Sequence, residues 1–196
     1  MCPTLVALLF FAARVEYHEP QPYESEGSTV KFAAPRRLHW LLLISAAIIL
    51  LDRLTKTWVT LHIKVGDAIP VIPHVLRITH WTNDGAAFSL FADSAKPLLV
   101  RWGLVGFTSL MALVILVVLV RLADRFTLTS VALALVFAGA LGNVHDRIAY
   151  GSVVDFIEVH IFSYHFPDFN IADSSVVTGA CLLLLDSMFP KKVTTQ

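Results

Sequence analysis

Cysteine is nearly absent from this chain: Cys2 and Cys181 are the only two in 196 residues. One lies in an amino-terminal tail and the other inside an apolar run, so they suggest neither a disulfide framework nor a zinc-ligand spacing. Cys181 reads as a small thiol facing lipid or a neighbouring helix, with no chemical role. Charge is scarce too, at 15% of residues, and neither sign is in excess because 15 basic residues face 15 acidic ones. Such a balance, without a recognition motif, gives no reason to expect nucleic acid as a partner. No His-Glu-x-x-His or comparable spacing occurs, which removes the usual sequence ground for a metal hydrolase built on His145, Asp146, His160, His165 and Asp173.

What the chain has in quantity is apolar side chains. They make up 56% of it, and the mean hydropathy is +0.70, too apolar for an ordinary soluble domain. The expected class is an integral membrane protein. Thr4 to Ala13 are apolar, but ten residues cannot cross a bilayer, which takes roughly 20. No basic residue precedes that run as a signal peptide requires. Residues 1–37 therefore read as a flexible extension, with Glu16, Glu19, Pro20, Pro22 and Gly27 along its polar part.

Four spans follow, at about 38–61, 97–120, 126–146 and 173–189, with 191–196 as a tail. The second carries nineteen uncharged residues from Trp102 to Val120. Trp40 and Trp58 bracket the first, where interfacial aromatics belong. Asp52, Arg53 and Lys56 occupy its second half, and Asp52 and Lys56 are spaced to share a helical face. They read either as an ion pair snorkelling to the interface or as part of a site. Between the first two spans, Val75 to Asn83 is rich in β-branched and aromatic residues ahead of the turn signal Asp84-Gly85, so a small β element is expected there. Ala86 to Ala95 is expected as a short interfacial helix. The stretch from Gly151 to Asp173 reads as an irregular polar and aromatic loop. The expected fold is thus an all-α integral membrane protein with four transmembrane helices, a small extracytoplasmic β element and a short interfacial helix.

The short-loop basic residues fix an orientation. Arg36-Arg37, Arg121 with Arg125, and Lys191-Lys192 share one side of a four-span chain, which should be cytoplasmic and hold both termini. The costly polar residues then gather at the other face. Asp52 and Lys56 lie toward that end of span one, Asn83 and Gly85 just beyond it, Asn143, Asp146 and Arg147 at the end of span three, and Asp155, Asn170 and Asp173 before or at the start of span four.

Two carboxylates in one site can share a proton, so that one activates water while the other protonates a leaving amine. Asp155 and Asp173 are the candidates for an aspartic peptidase pair. Asp173 sits at an expected helix amino terminus and Asp155 in an apolar Val-Val-Asp-Phe setting, and either can take either part. The plain readings are a helix cap for Asp173, a solvated loop residue for Asp155, turn hydrogen bonds for Asn83 and Asn170, and an interfacial pair for Asp146 and Arg147. An ion-coupled transporter would place polar groups through the bilayer, whereas the middles of spans two and three are apolar. A serine–lysine peptidase would use Lys56 with Ser152, Ser174 or Ser175.

Five segments carry a resemblance. They are Asp52-Arg53-Leu54-Thr55-Lys56, Asn83-Asp84-Gly85-Ala86-Ala87-Phe88, Gly139 to Arg147, Gly151-Ser152-Val153-Val154-Asp155-Phe156, and Phe169-Asn170-Ile171-Ala172-Asp173. In order and spacing they resemble the motifs of the bacterial lipoprotein signal peptidases (signal peptidase II) over about residues 38–190, with Ala138-Gly139 where the family usually has Gly-Gly. The resemblance implies a bacterial inner-membrane aspartic peptidase that cuts prolipoproteins just before a lipid-modified cysteine, its site at the periplasmic face. It implies Asp155 and Asp173 as the catalytic pair. It places Asn83, Asn143, Arg147 and Asn170 against substrate or globomycin-type inhibitors, with Gly85, Asp52, Lys56 and Asp146 in support. It implies no metal or organic cofactor, with prolipoproteins and membrane lipids as partners of a monomer. The loop bearing His160, Tyr164, His165 and Phe166, and the β element with Trp81, are expected to flank the substrate.

Overall fold

A computed structural model describes residues 37–85, 97–123 and 126–189. The expected extension and the expected interfacial helix at Ala86 to Ala95 lie outside the described residues. Helix α1 runs Leu38–His62, strands β1 and β2 run Ala68–Ile72 and Leu76–Asn83, and helix α2 runs Pro97–Leu122. Helix α3 runs Leu128–Ala149, strands β3 and β4 run Val153–Ile161 and Tyr164–His165, and helix α4 runs Ile171–Met188. All four helices are long and apolar enough to cross a membrane, the shortest being 18 residues, or about 27 Å at 1.5 Å per residue.

Two helix ends differ from expectation in ways that move side chains. Helix α3 continues to Ala149, so Asp146 and Arg147 occupy its last turns and point about 100° apart. Helix α4 begins at Ile171 with Asn170 as its N-cap, which makes Asp173 the third helical residue rather than the cap. Asn170 accepts from the Asp173 N–H, while Asp173 reaches back to the Asn170 N–H. This is the reciprocal capping box, satisfying amides that a helix start leaves unpaired.

Helix α3 is the central element. It packs on α4, α2 and α1, and over half of its apolar window is buried. Its approach to α4 depends on glycine. A Cβ on Gly139 would stand 2.3 Å from the Ala172 carbonyl oxygen, and one on Gly179 would stand 2.6 Å from that of Ala132. Away from the sheet, Leu41, Leu119, Leu133 and Leu183 join the four helices in one apolar cluster.

The stretch expected as an irregular loop is an ordered strand hairpin. β3 pairs antiparallel with β2 and with β4 in a four-stranded sheet of order β1-β2-β3-β4. Asp155, Glu158 and His160 mask a strand whose remaining residues, Val153, Val154, Phe156, Ile157, Val159 and Ile161, have strong β preference. The sheet seats on the end of α1, where Val59 and Ile63 bury Phe156 beside Ile78, Val154, Ile157 and Ile171. His80 donates from Nδ1 to the Ile63 carbonyl at 2.6 Å and fixes that seat. In the register, Trp81 faces Asp155 and Asn83 faces Val153. The sheet therefore enters the bundle end with Asn83 and Asp155 foremost.

Candidate active site

Three helix ends and two strands converge at the sheet end of the bundle. α1 supplies Asp52 and Lys56 one turn apart, and they are 0% and 2% exposed. Such burial excludes snorkelling. Instead the Lys56 ammonium donates to Asp52 Oδ2 at 2.8 Å, to Asp146 Oδ2 at 2.7 Å and to Asn143 Oδ1 at 3.2 Å. All three ammonium protons are thereby used, which a buried lysine requires. Asp52 turns its other oxygen to the Ala172 N–H at 3.0 Å and ties α1 to the start of α4.

Lysine can only donate, and this sets the direction of the rest. Asn143 gives its oxygen to Lys56 and so turns its amide nitrogen to Asp173 Oδ1, at 2.8 Å. Asn170 caps α4 with its oxygen and donates its amide to Asp155 Oδ1 at 2.7 Å. Asn83 accepts from the Gly85 N–H at 3.0 Å and donates to Asp155 Oδ2 at 3.0 Å. Asn170 links the two carboxylates, since its backbone N–H also donates to Asp173 Oδ2 at 3.3 Å.

Asp155 is 4% exposed. Burial pushes its carboxyl up, the nearby charge of Asp173 adds to the push, and hydrogen bonds from Asn83 and Asn170 with the charge of Lys56 oppose it, leaving it at about 7. A carboxyl there exchanges a proton readily at neutral pH.

The plain reading of an ion pair between Arg147 and Asp146 does not hold among the described residues, because the two lie on different faces of α3. The Arg147 guanidinium donates to the Gly85 carbonyl at 2.6 Å and to the Asn143 carbonyl at 3.4 Å. Its Nε is buried with no hydrogen-bond partner among the described residues. Asp146 faces α1, where it binds Lys56 and Arg53. Sequence reasoning gave Arg53 no role, although its place next to Asp52 was a signal. Asp52, Lys56, Asn83, Gly85, Asn143, Asp146, Arg147, Asp155, Asn170 and Asp173 thus all belong to one connected polar cluster.

Other expected residues fall elsewhere. Trp81 stands directly across the β2–β3 ladder from Asp155 and is 48% exposed, which suits a flanking position. His160 and His165 pack edge to face at 4.2 Å on the far part of the hairpin, about 17 Å along β3 from Asp155 at 3.3 Å per residue. Phe166 packs edge to face on Phe169. Cys181 is exposed on α4, and no three His, Cys, Asp or Glu side chains among the described residues converge as metal ligands.

The chain is similar to known proteins over most of its length. A family model for signal peptidase (SPase) II matches residues 44–189. The lipoprotein signal peptidase of Acinetobacter baumannii is 44% identical over 164 residues, covering 81% of this chain and 88% of that protein. The lipoprotein signal peptidase of Staphylococcus aureus is 40% identical over 148 residues, covering 74% and 85%. A bacterial membrane enzyme solved by the in meso method at 1.9 Å matches with a TM-score of 0.62 and 37% identity, covering 78% of this chain and 95% of that one. A family match over residues 44–189, at such identities to its members and with four helices long and apolar enough to cross a membrane, makes this chain a multi-pass membrane peptidase of the signal peptidase II family.

Proposed function

We propose that the chain removes the signal peptide from prolipoproteins immediately before a diacylglyceryl-modified cysteine, using Asp155 and Asp173 as an aspartic pair. The observation that carries this reading is the buried link through Asn170, which joins the two carboxylates at the bundle end while Asp155 sits at about 7. Asp173 takes a proton from water as the water oxygen attacks the scissile carbonyl carbon. Asp155 gives its proton to the departing nitrogen as the carbon–nitrogen bond breaks. Afterwards Asp173 holds the proton and Asp155 is ionised, so passage of one proton back to Asp155 restores the pair.

Asn83, Asn143, Arg147 and Asn170 hold the substrate backbone. Globomycin-type inhibitors occupy the same groups. Lys56, held by Asp52 and Asp146, keeps the Asn143 amide turned toward Asp173. A pair at the ends of helices suits a scissile bond near the bilayer surface, with the acyl chains of the substrate left in lipid. The basic residues Arg37 and Arg121 lie at the bundle end opposite the pair, which supports cytoplasmic termini and a periplasmic site in the inner membrane. Both aspartates and the described groups that hold them lie within one chain, so the reaction as proposed needs no second copy.

Purified wild type, Asp155→Asn and Asp173→Asn, each given a lipid-modified prolipoprotein, test the reading. Wild type is expected to cleave, with or without a strong chelator, and both variants to lose cleavage. Normal turnover by either variant would sink the pair.

A further inference from the structure

Helix α2 packs chiefly on α3 and supplies none of the groups described above. Its second turn nevertheless holds Arg101, the one charge before its long apolar stretch. Arg101 Nε donates to the Arg147 carbonyl at 2.7 Å, and Nη2 donates to the Ile148 carbonyl at 3.1 Å. These are among the last carbonyls of α3, which have no partner within the helix. Two donors in one rigid plane suit two successive carbonyls, as a single ammonium does not. The guanidinium also covers Gly151, whose φ is +92° and whose added Cβ would stand 3.2 Å from Nη1.

Two routes lead from this clamp to Asp155. The first passes through the Arg147 side chain to the Gly85 carbonyl, from the Gly85 N–H to Asn83, and from Asn83 to Asp155 Oδ2. The second is covalent: the turn at Gly151 delivers β3, which places Asp155 four residues later. We propose that Arg101 is a positioning residue for the site, clamping the end of α3 so that Arg147 and Asp155 are held in register. This rests on the function proposed above. It gives α2 a part in the reaction without any contact between α2 and the substrate.

The test measures kcat, KM and folded fraction for wild type, Arg101→Lys, Arg101→Gln, Arg147→Lys and the double variant Arg101→Gln/Arg147→Lys. Arg77→Ala serves as an arginine control on the sheet. Arg101→Gln is expected to lower kcat per folded molecule by about ten- to a hundredfold, the scale of a small misplacement at a reacting centre. Arg101→Lys should fall between it and wild type, and Arg77→Ala should match wild type. Because both routes start at the same clamp and the hydrogen-bonded one runs through Arg147, the loss in the double variant should fall clearly short of the product of the two single losses, the mark of sites that share a network.

A wild-type kcat in Arg101→Gln overturns the proposal, as does a loss accounted for by the unfolded fraction or one that multiplies independently with Arg147→Lys. Should Arg101→Gln fail to fold, Gly151→Ala crowds the clamp while keeping the arginine, and a wild-type kcat both there and in Arg101→Lys overturns the proposal equally. Asp155→Asn run alongside separates the two claims. Full cleavage by that variant, or none by wild type, removes the proposed function and this inference with it, whereas failure confined to the Arg101 series removes only the clamp.

Discussion

Replacing Asp155 by asparagine should abolish the loss of stability that the wild type undergoes as pH rises from 4 to 8. Burial and then the charge of Asp173 raise the Asp155 carboxyl from 3.8 to about 7, so the folded chain binds this proton more tightly than the unfolded one. The stabilisation from that proton is fully present below the unfolded value and is lost as pH rises through the folded one. At about 1.4 kcal/mol per pH unit, the shift amounts to about 4 kcal/mol. Asparagine has the shape of the carboxyl and cannot ionise, but it turns its NH2 toward one of the two donors, Asn83 and Asn170, that the carboxyl oxygens accept, a cost that does not vary with pH. The stability difference between the two proteins should therefore be flat near pH 4, move in the variant's favour between pH 4 and 7, and be flat again above that. For a chain of this size the move amounts to on the order of 10 °C in relative Tm between pH 4 and 8. Thermal unfolding of detergent-purified protein, followed by tryptophan fluorescence at half-unit steps from pH 4 to 8.5, measures it. A gap that is flat with pH, or one that widens toward acid, would refute the account of Asp155 as a carboxyl held against its own ionisation.

Lys56→Met leaves Asp52 and Asp146 buried without their shared cation and should cost about 3–5 kcal/mol, seen as a loss of folded protein in a thermal-shift assay; a wild-type Tm would contradict it. Gly139→Ala should lower Tm and cleavage together because the added methyl meets the α4 backbone, whereas Gly103→Ala and Gly106→Ala, with nothing within 4 Å, should hold or raise Tm by up to about 1 kcal/mol equivalent. Equal effects at the three glycines would refute the close α3–α4 contact.

The spans and the site were legible in the sequence for one physical reason. In a chain this apolar, each charge inside a span is costly, so Asp52, Lys56 and Asp146 had to have partners. Which partners they take was less visible. Lys56 meets Asp146 across 90 positions, and no local spacing announces that. The plain reading of Asp146 and Arg147 as a pair fails because α3 runs on to Ala149, and neighbours in sequence on a helix face apart. The cap of α4 was misplaced by three residues because asparagine and aspartate both suit an N-cap, and only the reciprocal bonds of Asn170 and Asp173 distinguish them. β3 was hidden by its polar residues, although its β-branched positions carried the signal and only β2 was needed to complete the ladder.

The apolar face of α2 has a different consequence. It is the helix most plainly written for a membrane, and it contributes the fewest protein contacts, with Val105, Ala112 and Leu119 buried while Leu98, Leu99, Leu110 and Leu113 are more than half exposed. Its exposed positions answer to lipid as a solvent, which accepts leucine, valine, isoleucine or phenylalanine almost interchangeably. Sequence information about the reaction is thus thinnest where hydropathy is strongest, and a saturation scan of α2 should read as a tolerant surface interrupted at those three buried sites and at Arg101.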